Sequence, residues 1–303
     1  MPVLQNIRLN VFQGMQNIPN LAAEARGFFA AEGLSVTTTF TKSSQEQRDA
    51  LRLGQCDIAH SAVDNAFALI RDAGFDVSIV VGLDHGFNKI MTRAGLFNYD
   101  DLRGKILAVD APDTAFALLA YDVLARRGLQ RGRDYQVSVV GATPFRLDAL
   151  IKGEADFSLL NLPFNLLAQE AGCYMLDDPA AVVGDYQATC GFVSKAWVAD
   201  KGDVLVRYLR AYIAGLNWAR DPANRDELFQ LALGWFNLSP GMTQQCLDRV
   251  LDPVSGFAPN AAINQKGLAE TARLRESFQS DKPAGGRDLL ACVDERFYQQ
   301  ACA

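Results

Sequence analysis

The segment Asp49-Ala-Leu-Arg-Leu-Gly-Gln-Cys-Asp57 returns about a hundred residues later as Asp148-Ala-Leu-Ile-Lys-Gly-Glu-Ala-Asp156, with Asp, Ala, Leu, Gly and Asp in step. Ala73-Gly74 is echoed by Ala171-Gly172, and Gly33-Leu34 by Gly128-Leu129. Such a period is too long for a solenoid, whose units run about 20–50 residues. It points instead to two similar α/β lobes, each placing loops at the carboxyl ends of its strands. With 303 residues, 49% of them hydrophobic, the chain is long enough to bury about two cores.

Local patterning agrees. Ile7–Phe12 alternates as a first strand, and a turn over Gln13–Asn17 leads into a helix from about Ile18. Leu21, Ala25, Phe28 and Phe29 would form its apolar face, with Gly33 as its stop. Val36, Thr38 and Phe40 alternate as a second strand. Ser43-x-x-Glu46 and Ser44-x-x-Gln47 are capping boxes for a helix running to Gly54, and Ser61-x-x-Asp64 resembles another. Asp57–His60 and Val77–Val81 read as further strands, so a mostly parallel sheet is expected. From about Ala199 the pattern turns helical: Leu205, Leu209, Tyr212, Ile213 and Leu216 share a face, and Asp221-Pro222 breaks that helix. Further helices are expected through Leu228–Trp235, from Pro240, over Gln265–Phe278 and over Arg287–Ala301, with Asp281–Gly286 linker-like.

Several function classes fall away. The net charge is −6 without any run of cations, so a nucleic-acid footprint is absent. No 18-residue apolar stretch would span a membrane. Neither a G-x-x-x-x-G-K-[ST] nor a G-x-G-x-x-G motif occurs, and the two histidines lack H-E-x-x-H spacing, so no cofactor and no metal site is expected. The six cysteines show no C-x-x-C pair and read as small buried hydrophobes; a Cys292–Cys302 disulfide stays open. No signal peptide precedes the first strand, which suits the cytoplasm as the sequence stands, or the periplasm if a leader has been removed.

The order of motifs resembles the nitrate/sulfonate/taurine-binding family of ABC-transporter solute-binding proteins, which also includes thiamine-pyrimidine binders and synthases. The matching runs are EARGFFAAEGLSV (Glu24–Val36), ALRLGQCDIAHS (Ala50–Ser61), DLRGKILAV (Asp101–Val109), ALIKGEADFSLL (Ala149–Leu160) and the long helix from Val204 to Glu227. The resemblance implies a two-lobed, periplasmic-binding-protein-like (type II) α/β fold with a ligand cleft between the lobes. Lobe one would comprise residues 1–90 plus 192–303, and lobe two residues 91–191. It also implies docking on an ABC permease; the few cations near the expected cleft, Lys42, Lys89, Arg93 and Arg146, suit a small organic anion or aromatic heterocycle, and a monomer is expected. The His- and Cys-rich run of the pyrimidine synthases is absent.

In open α/β sheets ligands bind beyond the carboxyl ends of strands. That rule selects Gln13, Gln16, Asn17, Ser43, Ser44, Ser61, Thr143 and Asn161 as neutral hydrogen-bonding groups, with His60, Asp64, His85, Asp113, Thr114 and Phe164 in the same loops. Phe12, Phe87 and Phe145 would add flat walls. Plainer readings stand beside these: Ser43, Ser44 and Ser61 as helix caps, Phe12 as core. The alternative function is a cytoplasmic enzyme on the same fold, a decarboxylase, isomerase or lyase acting on a small carboxylic acid. There His60 or His85 would move the proton and Cys190 would supply a nucleophile.

Overall fold

The computed structural model describes residues 4–278 and 288–303. The chain first lays down β1 (Gln5–Val11), α1 (Ile18–Ala25), α2 (Phe28–Ala31), β2 (Leu34–Phe40), α3 (Ser44–Arg52), β3 (Ile58–Ala62), α4 (Val63–Asp72) and β4 (Val77–Gly82). It then builds β5 (Lys89–Thr92), β6 (Lys105–Val109), α5 (Ala115–Arg126), β7 (Tyr135–Val139), α6 (Thr143–Lys152), β8 (Phe157–Leu160), α7 (Phe164–Glu170), β9 (Tyr174–Asp177) and α8 (Pro179–Val183). Strand β10 (Thr189–Ser194) leads back, followed by α9 (Lys195–Arg220), α10 (Arg225–Phe236), α11 (Pro240–Val250), α12 (Gln265–Phe278) and α13 (Arg296–Cys302).

Two five-stranded sheets result, ordered β2-β1-β3-β10-β4 and β7-β6-β8-β5-β9. In the first, β10 runs antiparallel to β3 and β4; in the second, β5 runs antiparallel to β8 and β9. These are the strands by which the chain leaves one lobe and re-enters the other. Residues 83–88 and 185–188 make the two crossings. Gln187 ties them together, donating to the carbonyls of Asp84 (3.2 Å) and Thr189 (2.7 Å).

The repeated Asp-Ala-Leu…Gly…Asp segment has a physical cause. Gly54 and Gly153 both take a left-handed φ, 64° and 73°, where each helix ends. Each closing aspartate then pins the neighbouring strand by a backbone N–H. Asp57 accepts from Arg8 in β1 at 2.8 Å, and Asp156 from Ile106 in β6 at 2.9 Å. A guanidinium joins each, Arg8 on Asp57 and Arg93 on Asp156.

Three local expectations are corrected. The first helix does not run on to Gly33. Gly27 turns left-handed (φ 70°) and breaks it, so Ile18, Ala22 and Ala23 are buried while Ala25 is exposed. Ser61 caps nothing; α4 starts after Ala62 without a side-chain cap. The expected helix over Arg287–Ala301 is interrupted, because Val293 bridges to Ile79 of β4 and Asp294 donates its N–H to the Ile79 carbonyl at 2.8 Å. The linker-like Asp281–Gly286 lies outside the described residues.

Helix α9 crosses α1 at close range. A Cβ on Gly215 would stand 2.4 Å from the Pro19 carbonyl oxygen. Helix α12 is the unusual element, since it touches both lobes. Leu268 and Ala272 join the core beneath α4, whereas Leu274 joins the core of the second lobe with Leu118 and Tyr121 of α5. Ion pairs follow the same division. Arg275 holds Asp64 and Asp72 of α4, while Arg273 faces Asp122 (3.5 Å) and Glu270 faces Arg126 (3.8 Å) on α5.

Candidate functional site

The tips of β1, β3 and β4 face those of β6 and β8, and the two lobes are shut on one another. Met15 donates its N–H to the Leu162 carbonyl (3.1 Å), and Ala142 to that of Lys42 (3.0 Å). Asp110 Oδ2 accepts the N–H of Ser44 (3.0 Å) at the start of α3, and Asn161 Nδ2 donates to Gln16 Oε1 (3.2 Å). Between these bonds lies a narrow cavity of about 60 Å³, smaller than the roughly 300–1,000 Å³ of most small-molecule sites.

From the first lobe Gln16, Asn17, Ser44, His60 and Ser61 line the cavity; from the second come Thr114, Thr143 and Asn161. Phe12 and Phe87 supply flat walls, joined by Phe116. The remaining candidates are placed elsewhere. Gln13 is exposed, and Ser43 accepts the Glu46 N–H at 3.1 Å as a helix cap. Asp64 is buried against Arg275, and the Asp113 carbonyl faces the same guanidinium at 3.4 Å. Phe164 packs against the core that holds Leu160 and Ala168, Phe145 is exposed, and His85 lines a separate, more open groove beside Asp248 and Asp252.

The hydroxyls of Ser44 and Ser61 both accept from Asn65 Nδ2, at 3.2 and 3.1 Å. Asn65 itself was not singled out by sequence, although a polar residue inside the apolar run Val63–Ile70 signals a buried partner. Asp84, Asn88, Asp110, Arg146 and Thr189 also line the cavity. Burial raises the Asp84 carboxyl above its ordinary range, opposed by bonds from Thr189 Oγ1 (2.6 Å) and the Gly86 N–H (2.7 Å). Burial lowers Arg146 to about 10, and nearby Asp110 pulls the other way. Its guanidinium donates to the Leu159 carbonyl (2.7 Å) and Thr143 Oγ1 (2.8 Å).

His60 sits in a closed ring of hydrogen bonds. Tyr208 Oη donates to Asn20 Oδ1 at 2.9 Å, so the Asn20 amide presents its N–H₂ to His60 Nδ1 at 3.2 Å. The ring proton therefore belongs on Nε2, which faces Tyr208 Oη at 3.2 Å. Burial depresses this imidazole to about 3, and both ring nitrogens are engaged. Cys190 is fully buried, and burial pushes its thiol well above the ordinary value. His60, His85 and Cys190 are thus not assembled around one reacting centre. All six cysteines are free thiols, with Cys292 buried and Cys302 exposed. Among the described residues no group of three or more His, Cys, Asp or Glu could hold a metal ion, and no helix is long and apolar enough to cross a membrane.

This architecture has relatives. Residues 2–233 match the model of the NMT1-like family, more than three quarters of the chain. The chain belongs to the NMT1-like family. Another similar sequence is the riboflavin-binding protein RibY of Chloroflexus aurantiacus, 26% identical over 281 residues, which span 89% of this chain and 78% of that one. Among solved structures, the periplasmic nitrate-binding protein NrtA of Synechocystis PCC 6803 superposes with a TM-score of 0.85 at 16% identity, covering 99% of this chain and 89% of that one. The alkanesulfonate-binding protein SsuA of Xanthomonas axonopodis pv. citri, bound to MOPS, gives 0.78 at 16% identity, covering 96% and 98%. A Candida albicans protein described as having the generic periplasmic binding protein structural fold gives 0.74 at 12%, covering 96% and 97%. This NMT1-like chain therefore has the two-lobed periplasmic-binding-protein fold. Its family match ends before α11, so the α12 contacts lie beyond it.

Proposed function

We propose that this NMT1-like protein is a solute-binding protein that closes its two lobes on a small organic molecule and delivers it to an ABC importer. The observation that carries this reading is the cavity between the lobes. It is walled by Phe12, Phe87 and Phe116, and the surrounding bonds join one lobe to the other and cannot survive hinge opening. A ligand with contacts to both walls favours the shut state by the difference in its affinity for the two states. The nitrate-, sulfonate- and riboflavin-binding relatives support the same reading, and riboflavin is the first compound to test.

Delivery needs a surface that changes on closure. Exposed Phe40 and Val139 end the edge strands β2 and β7, a few residues from the Lys42–Ala142 bond that joins the lobes. Closure brings this apolar rim together, which suits docking on a permease. In that role the protein works outside the cytoplasmic membrane, and each chain carries a whole cleft. Native mass spectrometry of the purified protein is expected to find a co-purified small molecule. X-ray scattering is expected to show compaction when that molecule, or riboflavin, is added to stripped protein. Turnover of the compound without compaction would overturn the reading.

A further inference from the structure

We infer that the cleft selects a neutral ligand in which N–H donors stand beside carbonyl acceptors, the pattern of an amide, lactam or imide, and that Asp110 links its recognition to lobe closure. The inference rests on the cleft being the ligand site, as proposed above.

Three buried acceptor oxygens of the cavity have no donor: Asn88 Oδ1, Asp110 Oδ1 and Asn161 Oδ1. For Asn161 the orientation follows from the bonds around it. Gln16 Nε2 donates to the carbonyls of Phe12 (3.1 Å) and Gln13 (3.2 Å), so Gln16 can offer only Oε1 to Asn161. Asn161 must meet it with Nδ2, which leaves Oδ1 for the cavity. Asp110 has one oxygen on the Ser44 N–H and the other unpartnered. A buried acceptor without a donor is costly, and a ligand N–H or O–H removes that cost.

The complementary groups come from the first lobe. The Ser44 and Ser61 hydroxyls already accept from Asn65, so each has its own proton to donate to a ligand carbonyl. Charge argues against an oxyanion. Arg146 is the one Lys or Arg among the described lining residues; its terminal nitrogens are held by Leu159 and Thr143, which leaves only its Nε without a partner, while the carboxylates of Asp84 and Asp110 line the same space. An anion would meet carboxylates and unpaired acceptors there.

Asp110 has a second consequence. A ligand donor on Oδ1 fixes the plane of a carboxylate whose Oδ2 receives the start of α3 from the opposite lobe. Ligand and closure then act through one side chain.

The test compares three flat probes by calorimetry: lumichrome, which carries two ring N–H groups, each beside a carbonyl; its N1,N3-dimethyl derivative; and naphthalene-2-sulfonate. Wild type is expected to bind lumichrome at least about 10-fold tighter than either other probe. Asp110→Asn, which has a single acceptor oxygen to share between Ser44 and the ligand, is expected to lose about 10- to 100-fold for lumichrome and to narrow the preference. Asn161→Leu is a second variant, expected to lose the same donor-dependent increment. Equal affinity for lumichrome and its dimethyl derivative, or tighter binding of the sulfonate, would overturn the inference while leaving a binding cleft in place. Binding of no probe, with no co-purified molecule, would overturn both.

Discussion

Arg275 Nη1 stands 2.8 Å from both carboxylate oxygens of Asp64, across 211 positions of sequence, and both side chains are almost wholly buried. Burial opposes the guanidinium charge, but Asp64 and Asp72 more than offset it and hold Arg275 above its ordinary value. A buried pair is costly to break from one side, because the remaining charge keeps its desolvation penalty. Arg275→Met is therefore expected to destabilise the fold by about 3–5 kcal/mol in urea unfolding. Adding Asp64→Leu to it should recover most of that loss. A single variant as stable as wild type would refute this account.

His60 gives a pH dependence of known sign. Its folded value of about 3 lies below the ordinary 6.5, so below pH 6.5 the unfolded chain takes a proton that the folded one refuses. Stability from this group is complete above pH 6.5 and declines as pH falls toward 3. At pH 5 the loss amounts to about 2 kcal/mol. Denaturant titrations at pH 7 and pH 5 should show that increment in wild type and not in His60→Gln.

Gly14 lies where the lobes meet. Its φ is 148°, and a Cβ there would stand 2.7 Å from Asn161 Nδ2 and 2.8 Å from the Leu162 carbonyl oxygen, both on the opposite lobe. Gly14→Ala is expected to obstruct closure. Ligand affinity should fall about 10-fold or more, since 10-fold is about 1.4 kcal/mol and such strained contacts cost roughly 1–3 kcal/mol. Ligand-induced compaction in X-ray scattering should be lost with it.

Gly215 provides the contrast. A Cβ there meets the Pro19 carbonyl and the Ala23 amide of α1, neither of which lines the cavity. Gly215→Ala should lower stability by about 1–3 kcal/mol through overpacking. Affinity measured at a temperature where the variant is folded should stay unchanged.

Much of the architecture was legible in the sequence because the repeated Gly and closing Asp have local roles, Gly54 and Gly153 in turning the chain where a helix ends and Asp57 and Asp156 in fastening the neighbouring strand. The long apolar stripe of α9 was legible for the same reason, as Leu205, Leu209, Tyr212 and Leu216 all face the core. What failed was the choice between neighbours. Asp64 and Asn65 share one turn, and nothing local says that Asp64 turns toward an arginine in the tail while Asn65 turns toward Ser44 and Ser61. Likewise Gly27 and Gly33 both suit a helix end, and both turn left-handed, with Phe29 between them stacked on the distant Tyr208 ring. His60 looked like a proton carrier because the two groups that close its ring, Asn20 and Tyr208, are 40 and 148 positions away.

Helix α12 changes what the hinge has to do. Its grip on α4 is buried, through Arg275, and its hold on α5 combines buried Leu274 and the Phe278–Tyr121 ring contact with the pairs Arg273–Asp122 and Arg126–Glu270, whose arginines are nearly half exposed. Dissolved ions weaken those exposed pairs and barely reach Arg275, since screening acts over about 8 Å of water at physiological strength. Parting the jaws therefore has to break either the buried pair of Arg275 with Asp64 or the packing of Leu274 against α5, so the tail helix adds to the work of opening.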